Sequence, residues 1–136
     1  MASVEEVMAW LKSNYEHINT DLPGSVGEIA QNCSIEFELP NGRKQWVLIA
    51  VSFFRIDVHS PFAERSAISA EEALALASSQ SFGFREHPMF GILPPHYVLV
   101  QLLPMADIDS SEIKFAIEEL VKAADLLESK LGKDEI

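Results

Sequence analysis

Apolar residues first recur at helical spacing. Val4, Val7, Met8, Leu11, Tyr15 and Ile18 form a single stripe. Ser3 stands where an N-cap belongs, and Glu6 three residues later completes a capping-box pattern. The spacing predicts a first helix reaching Ile18. Thr20-Asp21-Leu22-Pro23-Gly24 stops it, because Pro23 disfavours helical geometry at Leu22 and Gly24 favours a turn.

The period then changes from helical to two. Ile35, Phe37 and Leu39 alternate with Ser34, Glu36 and Glu38, which predicts a strand with one face in water. Pro40-Asn41-Gly42 is a hairpin turn, since Asn-Gly tolerates the positive φ that tight turns need. From Lys44 to Val51 both parities are apolar: Trp46, Leu48 and Ala50 one way, Val47, Ile49 and Val51 the other. Such a strand wants cover on both faces. After a turn placed at Ser52-Phe53, Phe54, Ile56 and Val58 alternate with Arg55, Asp57 and His59 in a third strand, which Ser60-Pro61 is expected to end.

Ser69 and Glu72 start a second helix over Ala70 to Ser79. A strand is expected over Phe82-Gly83-Phe84-Arg85-Glu86, continuing after Pro88 through Met89 to Leu93. Pro94-Pro95 turns the chain, and Tyr97 to Leu103 is again apolar on both faces until Pro104. The last helix is the sharpest pattern. Asp109 caps it, Glu112 follows at the box position, and Ile113, Ile117, Leu120, Ala124, Leu127 and Leu131 form an a/d seam. Phe115, Val121 and Leu126 widen that seam, and Gly132 is expected to end the helix. The expected fold is α+β, a single domain over residues 1–136: an antiparallel sheet of about five strands with three helices, in the order αβββαββα.

Composition sharpens this. The chain of 136 residues carries 21 acidic and 10 basic side chains, a net charge of −11. That field repels nucleic-acid phosphates and anionic lipid, so neither nucleic acid nor membrane is an expected partner. No apolar run approaches the ~20 residues of a membrane span. The single cysteine, Cys33, has no disulfide partner, and the acidic start lacks signal-peptide charge, so a cytoplasmic protein is expected.

Chemistry is sparse. His17, His59, His87 and His96 are scattered singly, with none at the i, i+4 spacing of a zinc helix. Cys33 lies between Glu28 and Glu36, with nothing near in sequence to lower its pKa. Gly24-Ser25-Val26-Gly27 lacks the lysine and the strand-to-helix context of a phosphate loop. Asp57 and His59 share a strand face at i, i+2 and read chiefly as a polar pair facing solvent. No catalytic, metal or cofactor-binding residues are expected, and no cofactor.

Three segments carry a resemblance. Tyr97-Val-Leu-Val-Gln-Leu-Leu-Pro-Met-Ala-Asp-Ile-Asp109, then Ser-Ser-Glu-Ile, leads into a helix with Ala123-Ala124-Asp125 near its middle. Arg43-Lys-Gln-Trp-Val47 follows the hairpin, and Val58-His-Ser-Pro61 closes a strand. Together they resemble the bacterial YbjN-type proteins of the type III secretion chaperone-like superfamily, and the element order agrees over nearly the whole chain. The resemblance implies a non-enzymatic, acidic, cytoplasmic module that binds a polypeptide client, chaperone-like or as a regulatory adaptor, in a homodimer.

The residues alone lead in the same direction. Two strands want cover on both faces, and the first and third helices can cover one. The other face then needs a second copy, a client or the short helix. Phe53, Phe62, Phe90 and Ile92 are the candidate protein-binding surface. The alternative is a small-molecule-binding regulatory domain with an apolar pocket between helices and sheet, Arg85 and His87 supplying its polar groups. An enzyme would start from Asp57 and His59.

Overall fold

The computed structural model describes residues 3–20, 22–23, 30–78 and 88–134. The strand expected over Phe82 to Glu86, the glycines Gly24 and Gly27, and the candidate residues Arg85 and His87 lie outside that set. The described elements are α1 (Val4–Asn14), β1 (Ile18–Asn19), β2 (Ala30–Glu38), β3 (Lys44–Ser52), β4 (Arg55–Glu64), α2 (Ala70–Ser78), β5 (Met89–Leu93), β6 (His96–Pro104) and α3 (Ser110–Asp134). The expected α+β architecture is present, with six strands rather than five. They form one antiparallel sheet ordered β1-β2-β3-β4-β6-β5.

The helix starts follow the sequence signals. Ser3 Oγ accepts from Glu6 N at 3.1 Å, Ser69 Oγ from Glu72 N at 3.2 Å, and Asp109 Oδ1 from Glu112 N at 2.9 Å. Each cap satisfies an N–H that the first turn leaves unpaired. The helix ends depart from expectation. α1 stops at Asn14, whose side chain turns back to donate to Trp10 O at 2.8 Å, and Tyr15 is already extended. Ile18 therefore belongs to a two-residue strand paired with Ile35, not to the helix. At the other end α3 runs through Gly132 to Asp134. A glycine near a helix end costs only ~1 kcal/mol and does not by itself stop a long helix.

β4 also runs past its expected stop. Ser60 and Pro61 lie inside it, and the register against β6 shifts between Pro61 and Ala63. Proline fits a strand at such a bulge because no ladder donor is needed there. On its other side, the pairing of β4 with β3 ends at Leu48↔His59. Side chains bridge the splayed strands beyond it: Gln45 Nε2 donates to Ser60 Oγ at 3.0 Å and to Pro61 O at 2.6 Å, while Ser60 Oγ donates to Trp46 O at 2.9 Å. Gln45 and Ser60 are the two buried polar residues of the described chain, and their mutual bonds remove the cost of burying them.

A single core cluster joins the three helices to one face of the sheet. It holds Val7 and Leu11 of α1, Ala73 and Ala77 of α2, and Ile113, Ile117, Leu120, Ala124 and Leu127 of α3. From the sheet it takes Cys33 and Ile35, Val47, Ile49 and Val51, Ile56 and Val58, and Tyr97 and Leu99. The a/d seam of α3 is thus the packing seam. Val121 joins it, whereas Phe115 and Leu126 point away from it and are exposed.

Candidate functional site: the open face of the sheet

Side chains alternate across a strand, and directly paired residues share a face. The second face can therefore be read from the register. It presents Trp46, Leu48 and Ala50 of β3, Asp57, His59 and Pro61 of β4, Val98, Val100 and Leu102 of β6, and Met89 and Gly91 of β5. None of these residues belongs to the core cluster. All three helices contribute to the opposite face, so among the described residues no helix covers this one. The short helix, one of the three covers expected for the second face, packs into the core cluster instead. Trp46, Leu48 and Ala50 stay half-buried, and Leu102 and Met89 are exposed. Val98 and Val100 are buried, their methyl groups crowding Gly91. A Cβ at Gly91 would lie 2.9 Å from Val100 Cγ2 and 3.3 Å from Val98 Cγ2, so glycine is what lets β5 sit flush there.

A polar row crosses this face along β4. Arg55, Asp57 and His59 follow at i, i+2 and i+4. Arg55 Nε lies 2.8 Å from Asp57 Oδ1, and the guanidinium also stands 5.5 Å from the centre of the Phe54 ring. Ala50 and Leu102 flank Asp57; Leu48 and Val100 flank His59. Burial lowers the His59 pKa below its ordinary 6.5, against a backbone hydrogen bond at Leu48 and the Asp57 charge, which both raise it. The imidazole is therefore kept neutral, and its Nδ1 is buried without a hydrogen-bond partner. Asp57 and His59 do share a face, as the sequence indicates, but they are half-buried between apolar neighbours rather than freely solvated.

Two hollows adjoin the face. One, of about 570 Å³, is lined by His17, Asn19, Leu22, Ser34, Glu36, Trp46 and neighbours along the β1–β3 side. The other, of about 290 Å³, lies at the strand ends between Trp46, Pro61, Glu64, His96 and Glu128. Both lie outside the helix–sheet interior, whose residues are closely packed. Burial raises the Glu128 carboxyl above its ordinary value, with Arg43 opposing.

The four residues expected to form a protein-binding surface do not come together. Phe62 is buried in the core, 1% exposed, because β4 continues past Pro61 and Phe62 keeps the inward parity of Ile56, Val58 and Ser60. Phe90 is half-buried against the same core, its ring 6.4 Å from Phe62 and 5.5 Å from Tyr97. Those two expectations are corrected: neither forms an exposed patch. Phe53 is 68% exposed in the β3–β4 turn, beside Phe54 at 5.1 Å between ring centres. Ile92 is 49% exposed on β5, whose partner Tyr97 also pairs with Ala63 near the far end of β4. With ~3.3 Å of rise per residue, the two lie roughly 25–30 Å apart along the strands. The residues that sequence reasoning passed over as a surface are Trp46, Leu48, Ala50 and Leu102. Their signal was present in the double parity of the two apolar strands.

The segments behind the resemblance meet in space. Arg43 Nε is 3.1 Å from Asp125 Oδ1, Asn41 Nδ2 donates to Asp125 Oδ2 at 3.3 Å, and Arg43 Nη2 is 3.6 Å from Glu128 Oε1. Gln45, two residues on, holds Ser60 and Pro61. Together they fasten the β2–β3 hairpin to α3 and to the β4 bulge, a structural role. Cys33 is fully buried and its thiol is pushed up to about 12, chiefly by desolvation, so it is not a nucleophile. Tyr15, packed edge-on between Trp10 and Phe37, is likewise raised to about 12 by burial, with Glu118 adding to the effect. Among the described residues no three of His, Cys, Asp and Glu are grouped to hold a metal, and no helix is long and apolar enough to cross a membrane. Comparison with models of protein families, with curated proteins and with solved structures gave no match.

Proposed function

We propose that this chain is a non-enzymatic protein-binding module of the cytoplasm, chaperone-like or a regulatory adaptor, that takes a polypeptide on the open face of its sheet and works as a homodimer. The observation that carries the reading is the unequal treatment of one sheet: among the described residues three helices serve one face, while none covers a second face that bears the half-buried Trp46 and Leu48 and the exposed Leu102. Apolar surface of this kind is stabilised by contact with another chain. The polar row along β4 supports binding over catalysis, since Arg55 occupies the Asp57 carboxylate and His59 is held neutral between aliphatic neighbours. The resemblance to YbjN-type proteins supports the same class of function.

The test compares two immobilised proteins as bait in native lysate: wild type and Leu48→Lys. The reading expects a polypeptide retained by the wild type and lost from the variant. Identical recovery from both would count against the open face as the binding surface.

A further inference from the structure

We draw no further inference here: the strongest candidate, the hollow of about 290 Å³ where β3 and β4 part and the Glu64 and Glu128 carboxylates stand beside Trp46 and His96, rests on an acidic pair alone, and nothing in the structure shows what fills it.

Discussion

The two faces of β3 differ by one residue of register and by everything that touches them. Val47, Ile49 and Val51 point into a cluster closed by three helices and are wholly buried. Trp46, Leu48 and Ala50 point the other way and remain half-exposed, although their hydrophobicity is similar. The difference teaches that apolar content alone does not tell a core face from an interface. What separates them is the supply of amphipathic elements. α1 and α3 each offer one stripe, the stripes fit one face, and no described helix covers the other.

The sharpest way to break this comparison is to truncate neighbours across the strand. Ile49→Ala should lower stability by about 2–5 kcal/mol, the usual cost of a cavity in a closed core. Leu48→Ala, half-exposed in the isolated chain, should cost only about 1 kcal/mol, since roughly half its transfer free energy is at stake. Urea unfolding at low protein concentration measures both. Equal losses would mean that the two faces are equally covered.

A smaller effect is expected where side chains replace the missing ladder between β3 and β4. Ser60→Ala removes the hydroxyl that links Gln45 to Trp46 O and leaves buried groups unpaired. It should cost about 1–3 kcal/mol while leaving self-association unchanged, because the bonds lie at the core side of β4. Gly91→Ala should follow at about 1 kcal/mol or a little more, as its methyl group meets the stiff side chains of Val98 and Val100. Thermal melts compare the two. A neutral Gly91→Ala would show that β5 can shift away from β6 without loss.

The smallest effect is that of pH. The folded pKa of His59 lies below its ordinary 6.5, so below that value the unfolded chain binds the proton more readily. The stability contributed by the neutral imidazole is complete above pH 6.5 and is lost as pH falls through 6.5 towards the folded pKa. The facing groups are Arg55 and Asp57 on its own strand and the aliphatic Leu48 and Val100 on its neighbours, so burial dominates. Denaturation midpoints between pH 7.5 and 5 should fall more for the wild type than for His59→Gln. Parallel curves would contradict this.

Much of the fold could be read from the chain, because caps and periods act locally. Ser3, Ser69 and Asp109 each bond the N–H three residues on, and the seam of α3 packs as its spacing requires. The errors came where distant partners decide. Tyr15 and Ile18 continue a helical period, but Asn14 closes the helix and Ile35 recruits Ile18 into the sheet. Pro61 looked like a strand end, yet Gln45 from the neighbouring strand supplies the donor that the ladder lacks. The site was half-legible for the same reason. The parity of β3 announces a second apolar face, but a strand expected to end at Ser60-Pro61 does not carry the inward parity of Ile56 and Val58 on to Phe62, which the structure places in the core.

The most direct test of the open face uses the inertness of the native thiol. Cys33 is fully buried with its pKa pushed up to about 12, so an introduced cysteine is the thiol that reacts first. Maleimide labelling rates of Leu102→Cys on the open face and Leu126→Cys on the outer side of α3 would be followed as protein concentration rises. The account predicts that Leu102→Cys becomes protected while Leu126→Cys keeps its rate. Equal, concentration-independent labelling of the two sites would contradict it.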